Sequence, residues 1–209
     1  MASKSPHLTA TEAAIVTRIP LKRLNRLIDE GALPHGAAGF DTAKGRRYVA
    51  REALVAIRVV HDMGALLSPE GRRRIARALV SRTPDHAAND NAADAIAGPA
   101  ARAARRVVAG GLRELERAHR LVVIDPDIMG GTPCVKGTRI PAWMVAAMLV
   151  NEGPAAVRET WPHLTGKQIE AARDYMAFYP KRGRPALGRR RRVTATYRQS
   201  DDGWRRTPA

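Results

Sequence analysis

The chain has 209 residues and a formal net charge of +16, with 36 basic against 20 acidic residues. This balance predicts a polyanionic partner, nucleic acid ahead of an acidic protein surface or an anionic membrane. No apolar stretch approaches the roughly 20 residues of a membrane span, no signal peptide is recognisable, and one cysteine with six scattered histidines offers neither a disulfide nor a zinc cluster. We therefore expect a cytoplasmic protein without a cofactor, built from two small domains.

The first 31 residues carry the pattern of two short helices joined by a tight turn. Thr9 and Glu12 form a capping box, which predicts a helix beginning beside them. A second helix is predicted to start near Pro20 and to stop at Gly31. The apolar residues of this second helix recur at helical spacing and are expected to face inward: Leu21, Leu24, Leu27 and Ile28. Together the two segments have the helix-turn-helix pattern.

A basic hairpin is predicted after these helices. Glycines at positions 36, 39 and 45 punctuate two extended pieces, around Phe40 and around Tyr48. The tip of such a hairpin would carry Lys44, Arg46 and Arg47 and would form a wing. Two further helices are predicted, over 51–63 and from Ser68 onwards.

The run "TEAA", a turn, "LKRLNRLIDEGALP" and the basic hairpin together resemble the winged-helix domain of MerR-like and excisionase-like regulators. The resemblance covers about the first third of the chain and implies a winged helix-turn-helix domain over residues 1–82. In such domains the second helix enters the major groove and the wing touches the DNA backbone. The residues expected to bind DNA are Lys22, Arg23, Asn25, Arg26, Lys44, Arg46 and Arg47.

The helical members of this set project away from the leucine face, which suits contacts with base edges and phosphates. Arginine pairs with guanine and asparagine with adenine. Any one of them is equally compatible with a solvated polar helix face. Arg46 and Arg47 on the wing fit phosphates better than bases.

Residues 83–100 contain little apolar content beyond alanine and are interpreted as a linker. A helix is predicted from about Ala101 to His119, although Gly110 and Gly111 argue against its continuity. The following stretch, "GGTPCVKGTRIP", has the composition of a phosphate-binding loop. Its lysine and glycine are transposed relative to the P-loop order, so we exclude a nucleotide site.

The structural interpretation of this stretch is a short strand arm with turns, anchored by Gly130, Gly131, Gly137, Thr138 and Arg139. Glycine permits the turns, and the arginine can bond carbonyls or an acidic neighbour. Contact of Arg139 with DNA or a partner chain is the alternative. Cys134 is interpreted as a small residue packed within the arm.

Three short helices are predicted after the arm, beginning at Pro141, at Pro154 and after a capping box formed by Thr165 and Gln168. They predict a compact homeodomain-like unit within residues 101–180. The string "IDPDIMGGTPCVKGTRIPAWMV", with "WPHLTGKQIEAARDYMAFY" further on, resembles a short domain of unknown function found in VapB-type antitoxins. The resemblance spans about residues 120–180 and implies a PIN-type ribonuclease toxin as the partner.

Residues 181–209 hold ten basic residues against Asp201 and Asp202, which is +8 of the total charge of +16. Low apolar content predicts a disordered basic tail. VapB-type antitoxins use a C-terminal segment to cover the carboxylate-rich metal site of their toxin, which guanidinium groups can enter. The residues expected to bind the toxin are Arg182, Arg184, Arg189, Arg190, Arg191, Arg192, Tyr197 and Trp204. The alternatives are an AT-hook, because "RGRP" matches its core, and a simple solvated tail.

The sequence therefore predicts a mainly α, two-domain, non-enzymatic protein. His163, Glu170 and Asp174 could form an acid-base set, but no nucleophile or metal cluster accompanies them. The favoured function is that of an antitoxin that neutralises a PIN-type ribonuclease and represses its own operon by binding operator DNA, as a homodimer or within a hetero-oligomer. The alternative is a stand-alone helix-turn-helix regulator, or a nucleoid-type DNA binder with an AT-hook-like tail.

Overall fold

The computed structural model describes residues 6–42, 45–80, 91–180, 197–200 and 203–206. Within these ranges the chain is mainly α-helical, which confirms the predicted fold class, and short strands accompany eight α-helices. No helix in the described ranges is long and apolar enough to cross a membrane.

Strand β1 (His7–Thr9) leads directly into helix α1 (Ala10–Thr17), and helix α2 (Leu21–Asp29) follows. The predicted capping box at the start of α1 is confirmed: the Glu12 amide donates to Thr9 Oγ1 over 3.2 Å, and the Thr9 amide donates to Glu12 Oε2 over 2.7 Å. Leu24 and Leu27 are buried as predicted. Leu21 is 41% exposed, because it lines a surface groove between α1 and α2 instead of facing the core.

The predicted hairpin is confirmed as β2 (Ala38–Asp41) and β3 (Arg46–Ala50), which pair antiparallel with Phe40 opposite Arg47. Strand β1 adds to the other edge of β3, giving the order β1-β3-β2. The sequence did not predict β1, because three residues ahead of a helix cap are too few to show the alternation of a strand.

Helices α3 (Ala53–Asp62), α4 (Pro69–Val80) and α5 (Asn91–Leu121) follow. The predicted linker over 83–100 is wrong for residues 91–100, which belong to α5, whereas residues 83–90 lie outside the described ranges. Five of these ten residues are alanine, the residue with the highest helix propensity, so a scarcity of larger apolar residues here accompanies a helix and not a linker.

Helix α5 joins the two ends of the molecule. It packs against α1 and α3 on one side and against α8 (Gly166–Phe178) on the other. One cluster of buried side chains therefore runs from Leu8 near the N-terminus to Phe178 at the end of α8. The boundary predicted between two domains does not coincide with a break in this core.

The residues after α5 form the strand pair β4 (Val122–Val123) and β5 (Cys134–Val135), a 3₁₀ turn (Met129–Gly131), and helices α6 (Ala142–Asn151), α7 (Pro154–Thr160) and α8. The predicted arm followed by three helices is thus present. The Thr165–Gln168 capping box at the start of α8 is also confirmed.

The tail contains a strand pair that the sequence did not predict. Strands β6 (Tyr197–Ser200) and β7 (Gly203–Arg206) pair antiparallel, with Gln199 opposite Trp204. The prediction of disorder is therefore wrong for these eight residues, because antiparallel pairing supplies backbone hydrogen bonds even where apolar content is low. Residues 181–196 lie outside the described ranges.

Candidate nucleic-acid interface

Helix α2 presents a basic face opposite its buried leucines. Leu24 and Leu27 are fully buried, which fixes the rotation of the helix about its axis. Lys22 and Arg26, one helical turn apart, are exposed. Arg23 is half-buried, and its guanidinium lies beside Gly64 in the turn after α3. The predicted polar face therefore exists, but its cations differ in how freely they can reach a ligand.

The C-terminal end of α2 is held by an ionic network around Glu30. The Glu30 carboxylate accepts from Arg26 Nε over 2.7 Å and lies 3.4 Å from Arg72 Nη1 of α4. Arg73 donates to the backbone carbonyl of Glu30 over 3.4 Å. The hydrogen bond from Arg26 lowers the pKa of Glu30 below its ordinary value. Arg26 is 71% exposed despite this pair, so it can exchange Glu30 for an external anion.

Asn25 is placed differently from the other members of the predicted set. It is half-buried, and its Oδ1 atom is buried with no hydrogen-bond partner among the described residues. A bidentate contact with adenine needs both amide groups at the surface. Asn25 can make that contact only after a rotation of its side chain.

The β2–β3 hairpin is fixed to α2 through Arg47. The Arg47 guanidinium pairs with the Asp29 carboxylate over 2.8 Å and donates to the Asn25 carbonyl over 3.3 Å. Arg47 was predicted as a phosphate contact, and the structure instead engages it within the protein. Arg46 is exposed, and Lys44 lies outside the described ranges.

The glycines of the predicted structural arm lie in tight turns. Gly130, Gly131 and Gly137 all have positive φ, at 62°, 78° and 80°. Thr138 Oγ1 donates to the Val135 carbonyl over 2.8 Å and accepts from the Ile140 amide over 3.1 Å. These two bonds hold the arm closed where it enters α6. The Arg139 side chain is exposed. Cys134 in β5 is buried within the arm, and this burial raises the pKa of its thiol.

A tyrosine at the C-terminal end of α8 links this end of the chain to α1. The Tyr179 hydroxyl donates to Glu12 Oε1, and His119 Nε2 of α5 lies 2.6 Å from the same hydroxyl. Burial and the bond to Glu12 raise the pKa of Tyr179 well above its ordinary value. Tyr179 also lines a groove of about 380 Å³ with Trp143, Tyr175 and Met176. No sequence pattern predicted this junction, because its partners are 167 positions apart.

The predicted toxin-binding residues all belong to the tail after Pro180. Arg182, Arg184, Arg189, Arg190, Arg191 and Arg192 lie outside the described ranges. Tyr197 begins β6, opposite Arg206, and Trp204 lies in β7. Among the described residues, no three His, Cys, Asp or Glu side chains come together as a potential metal site.

Comparison with known proteins finds a family match for one segment of the chain. Residues 122–176 match the family described as "Protein of unknown function (DUF433)". This range covers the arm and α6, α7 and most of α8, and it confirms the sequence resemblance to a domain of unknown function.

The chain as a whole is 33% identical over 198 residues to the uncharacterized protein y4eO of Sinorhizobium fredii (strain NBRC 101917 / NGR234). The alignment covers 85% of this chain and 83% of y4eO. The chain therefore belongs to the family of y4eO and carries a DUF433 domain. No solved structure matches it.

Proposed function

We propose that the chain is a DNA-binding antitoxin of a type II toxin-antitoxin pair in the cytoplasm. Its N-terminal part acts as a MerR-like winged helix-turn-helix, with α2 in the major groove and the β2–β3 hairpin as the wing. The observation that carries the proposal is the basic face of α2, with Lys22 and Arg26 exposed opposite buried leucines. The hairpin attached at the end of the same helix supports it.

The electrostatics of the chain favour nucleic acid as the ligand. A chain of net charge +16 attracts a polyphosphate from a distance, and exposed cations on a firmly packed helix give that attraction a fixed direction. Glu30 and Asp29 hold Arg26 and Arg47 in place without burying them. A major-groove contact by α2 would exchange these pairs for phosphates or guanine edges.

The toxin half of the proposal has a different basis. It rests on the sequence resemblance of residues 120–180 to the domain found in VapB-type antitoxins and on the ten cations after Pro180. A PIN-type ribonuclease binds metal through clustered carboxylates, which are strong acceptors for guanidinium groups. Binding of the tail there would exclude metal or RNA phosphate and so inhibit the toxin. The antitoxin would form a homodimer or would join the toxin in a hetero-oligomer.

The double variant Lys22→Gln/Arg26→Gln tests the DNA-binding half. We expect its affinity for the duplex upstream of its own operon to fall about 30-fold, because each base or phosphate contact contributes about 1 kcal/mol. The measurement is a fluorescence-anisotropy titration at fixed salt. The control is Lys136→Gln/Arg158→Gln, which removes the same charge from exposed positions in the DUF433 domain. Equal losses in both variants would refute a specific role for α2.

Deletion of residues 181–209 tests the toxin half. We expect the tagged full-length chain, purified from its native cells after nuclease treatment and a high-salt wash, to retain a stoichiometric small protein rich in Asp and Glu. The deleted chain should lose this protein and keep its operator affinity. Mass spectrometry and the anisotropy titration give the two readouts. A full-length chain that retains no protein would favour the stand-alone regulator, and loss of DNA affinity on deletion would favour the AT-hook.

A further inference from the structure

Helix α5 carries a second basic surface that the α2 site does not include. Five arginines lie within about 100° of one another on the helix, because the later four follow the first by three, four, 11 and 18 residues, which are all close to whole numbers of helical turns. All five are exposed: Arg102, Arg105, Arg106, Arg113 and Arg120. We call this set the α5 arginine stripe.

The opposite face of α5 is buried, so the stripe cannot turn away from solvent. Ala104, Val108 and Leu115 are at most 5% exposed and pack into the core. From Arg102 to Arg120 the stripe spans 18 steps along the helix, or about 27 Å at the helical rise of about 1.5 Å per residue. It is thus a band of cations along one face of a helix whose opposite face is fixed in the core.

The acidic residues nearest to the stripe form ion pairs with other arginines. Glu114 is engaged by Arg18 over 2.5 Å, and Glu116 lies 3.6 Å from Arg51. Between residues 98 and 113 the helix has no acidic residue. Within the part of the chain that the structure describes, no ion pair joins a stripe arginine to a carboxylate.

The composition of the stripe distinguishes among polyanions. Docking to an acidic protein uses apolar or aromatic anchors at the centre of the interface, and binding to a membrane surface uses large apolar residues beside the cations. The exposed positions between the arginines include Ala103 and Ala109 and no large apolar side chain. A charge-only surface of this kind fits the phosphate backbone of nucleic acid, whose recognition needs no apolar anchor.

We propose that the α5 arginine stripe binds the phosphate backbone of double-stranded DNA as a second contact surface, separate from α2 and the hairpin. The inference rests on the proposed DNA-binding function and extends it. The phosphates belong either to the flank of the duplex that α2 holds or to a second duplex. A stripe of about 27 Å corresponds to about 8 base pairs along a duplex.

The triple variant Arg102→Gln/Arg106→Gln/Arg113→Gln tests the stripe in the full-length chain. Because log affinity changes against log salt with a slope of about −0.9 per phosphate contact, loss of three contacts should flatten that slope by about 2.7. Between about 50 and 200 mM salt, the unaltered chain should then lose about 40-fold more affinity than the variant. The matched control is Lys136→Gln/Arg158→Gln/Lys167→Gln, which removes the same charge elsewhere and should leave the slope unchanged.

Duplex length separates the two sources of phosphate. If the stripe binds the flank, extension of the minimal duplex by about 8 base pairs should raise the affinity of the unaltered chain and not that of the triple variant. If the stripe binds a second duplex, each unaltered chain should bind two copies of the minimal duplex. Each chain of the triple variant should then bind one copy.

The variant Lys22→Gln/Arg26→Gln distinguishes failure of the stripe proposal from failure of the proposed DNA-binding function. An unchanged salt slope and stoichiometry in the stripe variant, together with loss of binding in Lys22→Gln/Arg26→Gln, overturns the stripe alone. The stripe proposal is also overturned if the stripe variant binds single-stranded RNA more weakly than the unaltered chain but binds duplex DNA with unchanged affinity. A full-length chain that binds no duplex overturns both the stripe and the proposed function.

Discussion

Substitution of Gly111 by alanine should destabilise the protein by about 3 kcal/mol, which is the upper part of the range for overpacking a tight core. Gly111 lies where α5 crosses α1, and a β-carbon there would be 2.5 Å from the Val16 carbonyl oxygen and 2.6 Å from Val16 Cα. Both are backbone atoms of a fully buried residue, so no side-chain rotation can relieve the clash. The two helices would have to move apart, which would open the core that joins the N-terminal helices to α8.

The measurement is thermal unfolding followed by circular dichroism, with an expected loss of about 6–12 °C in Tm for a chain of this size. The neighbouring Gly110 is a matched control, because a β-carbon there would have no neighbour closer than the Arg113 guanidinium at 4.0 Å. Gly110→Ala should therefore raise stability by about 0.5–1 kcal/mol through helix propensity. If both variants gained stability, α5 would not approach α1 as closely as the structure places it.

These two glycines show what the sequence could and could not predict. A helix from about Ala101 to His119 was predicted in spite of these two helix-weakening residues, and it is confirmed as a continuous helix. Propensity is a local property, whereas the requirement for Gly111 comes from Val16, which is 95 positions away in the chain. The capping boxes at Thr9 and Thr165 were predicted correctly because donor and acceptor are three residues apart.

The same distinction applies to the candidate interface. The periodicity of α2 predicts which side chains leave the leucine face, and it identified exposed Lys22 and Arg26. It could not predict that Arg47 pairs with Asp29, or that the amide oxygen of Asn25 is buried, because both depend on tertiary packing. The Tyr179–Glu12 bond likewise joins the two ends of the fold and leaves no trace in local spacing.

One buried carboxylate forms ion pairs between α5 and α8. Asp174 is 6% exposed and accepts from Arg117 Nε over 3.2 Å, as well as from Arg117 Nη2 and from the Arg173 guanidinium. The pairing with Asp174 raises the pKa of Arg117 above its ordinary value. Arg117 Nη1 also pairs with Glu170 over 2.8 Å, but the Glu170 side chain is 51% exposed. One guanidinium thus bonds a buried and an exposed carboxylate on the same helix.

We expect Asp174→Asn to cost about 3 kcal/mol and Glu170→Gln less than about 0.5 kcal/mol, although both change a carboxylate to an amide beside Arg117. The difference arises because Asp174→Asn leaves Arg117 without its counter-ion at a buried position, whereas water replaces the exposed Glu170 oxygen and also solvates Arg173, whose side chain is 52% exposed. The value for Asp174 is at the low end of the range for broken buried pairs, since Arg117 is 26% exposed and retains Glu170. Urea unfolding of both full-length variants at low and at high salt provides the measurement, and only the small effect of Glu170→Gln should vanish in salt. Equal costs would mean that water reaches Asp174 and that apolar packing, not this ion pair, holds α8 against α5.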